Sequence, residues 1–260
     1  MKLTTIIIAM MLASKVVAQT ETIDTARFVA IYDYECRTLD ETGTPVTGKM
    51  QLAVQVGRHT TKSMPAANYQ PKENKSKEEI IAGFDEAMLH MPTVWTGWPE
   101  GQTTVREFIH PHEFEGYEPV PNIRWTLLDD TLTVCGYPCK TATTTHRGIV
   151  WHVCYTEDVP SSAGPWRLRG LPGLILKVYD KDRFYTFEAV GIERSKQPIV
   201  RYAYDGYRKA NRERYLRLNR ELNAEYMNTM GRMGGKMQNA AGEWVSATGP
   251  VIPYEPLEKE

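Results

Sequence analysis

RWTLLDDTLTVCGYPCKTATTTHRGIVWHVCYT, residues 124–156, is a succession of short β-prone runs separated by turn formers. Arg124 to Leu128, Thr131 to Cys135, Cys139 to Thr145 and Ile149 to Tyr155 read as strands, with turns at Asp129-Asp130 and Arg147-Gly148. Short strands joined by tight turns make an antiparallel meander. The pattern resumes at Leu174 to Tyr179, turns at Asp180 to Asp182 and returns through Arg183 to Ile192.

Outward from this centre, Ala26 to Thr38 is rich in Val, Ile, Tyr and Phe and reads as a strand, followed by a turn at Asp40 to Gly43. Gln51 to Gly57 alternates Leu52, Val54 and Val56 with polar neighbours, a half-buried strand. Ala66 to Lys77 is polar; Ser76 with Glu79 then forms a capping-box pattern that predicts a short helix over 77–91, ended by Pro92. Val94 to Pro121 mixes Trp, Gly, Pro and Glu and predicts short strands with loops. Tyr207, Tyr215, Leu218, Leu222, Tyr226 and Met230 make one apolar stripe, which predicts an amphipathic helix over 205–230. Its other face carries Arg208, Lys209, Arg212, Arg214, Arg217 and Arg220 against Glu213 and Glu221, either a solvated face or a surface for an acidic partner or anionic lipid. The expected fold is mainly β with accessory helices (α+β): a strongly curved antiparallel sheet or half-barrel over 19–204, the C-terminal amphipathic helix, and a connector and tail over 231–260.

Lys2, the apolar run Leu3 to Leu12, and small residues ending at Ala18 have the order of a secretory signal peptide over 1–18, too short to span a bilayer. Export to the periplasm or the outer cell surface follows, and no transmembrane segment is expected in the mature chain. Loss of Lys2 and Lys15 shifts the formal charge from −1 to −3, which argues against a nucleic-acid partner.

Four cysteines, Cys36, Cys135, Cys139 and Cys154, are an even set in an exported chain, so disulfides are expected, with the pairing open. A hairpin turning at Arg147-Gly148 places Cys154 opposite Thr141 and leaves Cys139 only diagonally near it. No cofactor is expected; the alternative is Cu or Zn on His110, His112, His146 and His152, of which His110 and His112 would share a strand face. Ser161-Ser162 lacks a nucleophile-elbow pattern, and Asp129-Asp130 and Asp180 to Asp182 read as turn residues rather than a catalytic pair. No catalytic residue is assigned. Trp95, Trp98, Trp125, Trp151 and Trp166 read as core around the sheet.

The most distinctive segment is Gly170-Leu171-Pro172-Gly173-Leu174-Ile175, preceded by Asp158-Val159-Pro160 and Gly164-Pro165-Trp166. Leu171 to Leu174 reads as a type II turn, with Pro172 setting φ and Gly173 accepting positive φ, and the strand then starts in fixed register. The alternative is a backbone loop gripping a ligand. Together with Trp125, Gly136 to Cys139, Ala142, Arg147-Gly148, Trp151, Tyr155-Thr156 and Pro253 to Leu257, the chain resembles the GLPGLI family of exported Bacteroidetes proteins. It departs from the family where Thr141 stands in place of a Lys, and in Cys135 and Cys154. The family is defined by sequence and carries no assigned reaction. The resulting expectation is a noncatalytic binding or envelope-associated protein, taking a small or apolar ligand or an envelope protein as partner. A periplasmic metal-binding protein and a hydrolase are the alternatives.

Overall fold

The computed structural model describes residues 19–39, 45–69, 91–109, 112–203, 206–218, 220–221, 236–238, 243–246 and 257. The predicted signal peptide, the helix over 77–91 apart from Met91, and most of the C-terminal tail lie outside these residues.

The protein is mostly β. One sheet of twelve strands holds nearly all of the described chain, antiparallel throughout except at one edge pair. The chain enters it in the middle. Strand β2 (Phe28–Leu39) turns into β3 (Pro45–Val56), and β4 (Thr61–Pro65), β5 (Thr93–Thr96), β6 (Gln102–Ile109) and β7 (His112–Pro119) add one by one to the same side. The chain then crosses to the opposite edge and returns through β8 (Thr126–Val134), β9 (Tyr137–His146), β10 (Ile149–Thr156), β11 (Leu174–Asp180) and β12 (Tyr185–Arg194), which pairs with β2. Two meanders thus meet at the β2–β12 seam. The sheet is open, with β8 at one edge and the short β14 (Arg208–Ala210), parallel to β7, at the other. A separate ribbon of β1 (Gln19–Thr25) and β13 (Pro198–Ala203) lies apart from this sheet, as does the pair β15 (Lys236–Gln238) and β16 (Trp244–Ser246).

Period-2 alternation decides which face is buried. Ala30, Tyr32 and Tyr34 on β2 share a face with Leu52 and Val54 on β3, with Phe187 on β12 and with Val178 and Val153 farther along, and all are buried in one core. The Tyr32 hydroxyl crosses this core to donate to the Ile175 carbonyl at 2.8 Å. On the opposite face Val29, Ala53 and Met64 pack with the short helix α1 (Ala66–Tyr69), while Trp95 packs with Ile199 of the ribbon.

The Arg147-Gly148 turn falls where the sequence places it, both residues at positive φ (54° and 75°) as a type I′ hairpin requires, and Cys154 does face Thr141. Three expectations are corrected. Asp129-Asp130 is not a turn: β8 runs straight through it, and the register shift between Leu128 and Thr131 makes the pair a bulge in an edge strand. The helix expected from 205 does not start there, because Arg208 to Ala210 pair with Phe114 to Gly116 instead. Helical residues are described over 212–218 and 220–221, capped by Asn211, whose side-chain oxygen accepts from the Arg214 amide at 3.0 Å. The rest of that predicted helix lies outside the described residues. Third, the four thiols are free. Cys139 is only diagonal to Cys154 across β9 and β10, a register that opposes the close, directed Cβ approach a disulfide needs, and Cys36 is buried in the same core as both without bonding to either. Burial raises the Cys36 and Cys139 thiols above their ordinary values and pushes Cys154 up to about 11.

Candidate functional site

Between β10 and β11 the chain makes a long excursion, 157–173, with no regular structure but tight bracing. Gly170 N donates to Ser162 O at 2.9 Å, Ile175 N to Ala163 O at 3.0 Å, and Leu174 N to Val159 O at 3.1 Å. Two more bonds fasten the loop to the sheet: Trp166 N donates to Ser63 Oγ at 3.1 Å, and Trp125 Nε1 donates to Arg169 O at 2.9 Å. Ala163, Trp166, Leu168 and Leu171 are buried beneath it.

The hexapeptide closes this loop, though not as a type II turn. Positive φ belongs to Gly170 (101°), and Gly173 does not have it. Gly173 is needed for another reason, since a Cβ there would stand 2.0 Å from the Thr156 carbonyl oxygen. The motif therefore welds the loop's exit to its entrance by close backbone approach.

Facing the loop is the β3–β4 turn, residues 57–60. Asp24 of the ribbon holds it, accepting from His59 N at 2.8 Å and Thr60 N at 2.9 Å. Burial works to raise the Asp24 carboxyl, but backbone donors at His59, Thr60, Thr25 and Arg58 outweigh it and hold the group below the ordinary carboxylate value.

Loop and turn enclose a cleft of about 250 Å³ whose lining includes Arg27, Arg58, His59, Ser161, Ser162 and Arg169, with Arg167 also contributing. Among the described residues no acidic side chain lines it. Arg167 is buried and pairs with Glu118, which also takes Arg147 Nη2 at 2.7 Å. Arg27 donates through Nε to the Gly57 carbonyl at 3.1 Å. Arg58 and Arg169 make no side-chain hydrogen bond or ion pair among the described residues, and burial draws Arg169 below the usual arginine value. Neither Ser161 nor Ser162 is hydrogen-bonded to His59 among those residues, so no nucleophile–base pair is assembled.

A second polar cluster lies where the ribbon covers β4–β7. Glu115 accepts from Arg106, from the Tyr117 hydroxyl, and from Arg201 Nη2 at 3.2 Å. Lys62, in the same cluster, donates to the Val200 carbonyl at 3.0 Å and lies over the Trp95 ring. Burial first, and then neighbouring Arg106, pull the Lys62 ammonium down to about 8. A lysine so depressed costs stability wherever both states are protonated, below about pH 8, and the cost is relieved as pH rises toward the ordinary value of 10.5. Lys62→Met is therefore expected to stabilise the protein at neutral pH by about 1–2 kcal/mol, since the lost hydrogen bond offsets part of the relieved desolvation. Urea denaturation at pH 7 and pH 10 checks this, the gain shrinking at the higher pH.

His146 and His152 do not converge. His110 lies outside the described residues, and His112 pairs with Ile109 in the β6–β7 hairpin. His146 pairs with Ile149 and His152 with Thr143, registers that send their side chains to opposite faces, and His152 stacks on Tyr179 at 5.3 Å. Among the described residues no group of three or more His, Cys, Asp or Glu side chains is arranged to hold a metal. The tryptophans split as well: Trp151 and Trp166 meet in the main core at 6.1 Å, whereas Trp95 and Trp98 lie under the ribbon. Arg27, Arg58 and Arg169 are the residues that the sequence reading missed. The available signal was the alternation Arg167-Leu168-Arg169 immediately before the hexapeptide.

No family model matches the sequence, and no curated protein matches it. Among solved structures the fold is similar to PNGF-II in its P21 crystal form, with a TM-score of 0.52 and 13% identity over 75% of this chain and 33% of that one. Its C2 form gives 0.44 and 14% over 73% and 32%. The chain spans about a third of PNGF-II. At this identity the likeness is one of fold alone: a mostly β, antiparallel-rich architecture.

Proposed function

We propose that this chain is an exported, noncatalytic ligand-binding protein of the cell envelope, and that the cleft between the 57–60 turn and the 160–169 loop is its binding site. The observation that carries the reading is a cleft whose walls are braced from both sides while two of its lining arginines, Arg58 and Arg169, make no side-chain hydrogen bond or ion pair among the described residues. Binding sites are pre-formed concavities with a few convergent polar groups, and this one has that make-up without an assembled nucleophile and base. The signal-peptide pattern over 1–18 and the resemblance to the GLPGLI family support export. No described helix is long and apolar enough to cross a membrane.

The reading includes a strongly bent sheet that brings the two meanders toward each other. Two facts support it. Residues 120–125 alone connect β7 to β8, a reach of roughly 25 Å, whereas ten strand spacings in a flat sheet would separate them by roughly 48 Å. Glu118 on β7 also pairs with Arg147 in the β9–β10 turn, eight strands away in the sheet order.

The test is a melting-temperature screen of the full chain against a library of neutral and charged small molecules, run beside Ser162→Trp, which fills the cleft at an exposed position. At least one chemical class is expected to raise the melting temperature of the wild type and not of the variant. No stabilising class, or equal stabilisation of both proteins, contradicts the reading. A hydrolase substrate panel run on the same samples decides the alternative: turnover abolished by Ser162→Trp replaces binding with catalysis.

A further inference from the structure

Granting that the cleft is a binding site, we infer that its ligand carries a multiply charged oxyanion group, a phosphate or a polycarboxylate, held by Arg58 and Arg169 with Arg27 at the rim. The lining has arginines from three separated parts of the chain: the link between β1 and β2, the β3–β4 turn, and the residues before the hexapeptide. Such convergence places like charges around one space with no lining carboxylate among the described residues to offset them. The nearest acid on each side is already committed. Asp24 spends Oδ2 on backbone amides of the turn and Oδ1 on the Thr25 amide, and Glu118 is occupied by Arg167 and Arg147.

The arginines differ in readiness. Arg167 is neutralised by Glu118 and sits at 3% exposure, so it forms a wall rather than a hand. Arg169 is half-buried and its guanidinium lacks a counter-charge, while its carbonyl is pinned by Trp125 and fixes the backbone from which the side chain reaches. Arg58 is exposed, on a turn whose amides Asp24 has locked. Guanidinium forks on rigid backbone favour planar or tetrahedral oxyanions through paired N–H···O bonds. Ser161 and Ser162 add hydroxyls at the same rim, and they suit the remaining oxygens. A neutral apolar ligand would instead strip water from two unpaired cations without replacing it, which is unfavourable.

Pyrophosphate and citrate are the probes, titrated calorimetrically into the full chain at low and at physiological salt, with Arg58→Gln, Arg169→Gln and Lys181→Gln as variants; Lys181 lies on the exposed β11–β12 turn, away from the cleft. The expected result is one-site binding of at least one probe, weakened roughly tenfold or more by each arginine substitution and by added salt, and unchanged by Lys181→Gln. Which probe binds separates the phosphate source from the carboxylate source. Binding that is equally weakened by Lys181→Gln, or unaffected by Arg58→Gln and Arg169→Gln, overturns the assignment, as does failure of both probes to bind. If neutral compounds stabilise the wild type but not Ser162→Trp while both anions fail, the cleft is still a binding site and only the ligand class is wrong. If nothing stabilises it, both readings fall together.

Discussion

Gly173→Ala is expected to cost about 4 kcal/mol or more of folding stability and to lower the melting temperature by about 10 °C or more. The new Cβ would lie 2.0 Å from the Thr156 carbonyl oxygen and 2.5 Å from its carbon, and both are backbone atoms at the end of β10. Neither is the end of a flexible side chain, so relief requires the loop to separate from the strand. Gly170→Ala provides the contrast. Its φ of 101° strains an alanine, but the nearest atom is 3.6 Å away, so about 1–3 kcal/mol is expected. Urea denaturation of the two variants reads the difference. A cost of only about 1 kcal/mol at Gly173 would mark an ordinary turn glycine and would contradict the close-approach account of the motif.

Glu115→Gln is expected to cost about 3–5 kcal/mol at pH 7, the second large effect. Glu115 is 1% exposed and is the acid that Arg106 and Arg201 pair with, and Lys62 adds a further buried cation to the same cluster. Removing its charge leaves Arg106 and Lys62 buried without the carboxylate that Arg106 pairs with, while Arg201 retains Glu21 at 3.9 Å. The pH dependence follows from the same contacts. Burial works to raise the Glu115 carboxyl, but the Tyr117 and Arg106 hydrogen bonds and the charges of Arg106 and Arg201 win, and the group is held below 4.5. A depressed carboxylate contributes stability that is fully present above its unfolded value and is lost as pH falls through its folded value. The wild type should therefore lose stability as pH drops below about 4.5, and Glu115→Gln should lose less over that range. Asp24, also held below the ordinary value, leaves part of the slope in place. An unchanged acid slope in the variant would remove Glu115 from the account.

The second meander was legible because its signals are local. Arg147-Gly148 has the chemistry of a type I′ turn, and the alternation on either side of it is strict enough to fix which residue faces Cys154. Asp129-Asp130 misled for a physical reason: a bulge in an edge strand exposes two adjacent polar residues just as a turn does, and only the partner strand tells them apart. Arg208 to Ala210 misled because helical spacing around them is real, whereas their pairing with β7 is a contact across nearly a hundred residues. Gly173 is similar. Pro-Gly reads as a turn, and the nearby Thr156 carbonyl that forbids a side chain is visible only once β10 and β11 are side by side.

Cysteine number pointed to disulfides, yet pairing depends on register as well as number, and Cys139 and Cys154 meet only diagonally while all four thiols are free. The candidate site was the least legible part. Its arginines come from positions 27, 58 and 169, and each alone looks like a surface charge. What the sequence did contain was the means of holding them: the hexapeptide that welds the loop and, before it, Trp166, whose backbone amide ties the loop to β4. The motif braces the wall of the cleft, which is the structural reading of the hexapeptide.

The most direct measurement is an amide chemical-shift map of the full chain titrated with pyrophosphate and, separately, with citrate. The account predicts saturable shifts concentrated at residues 57–60 and 160–169 for at least one of them. Shifts confined to the basic face at 208–220, or none at all with either, would contradict the cleft as the binding site.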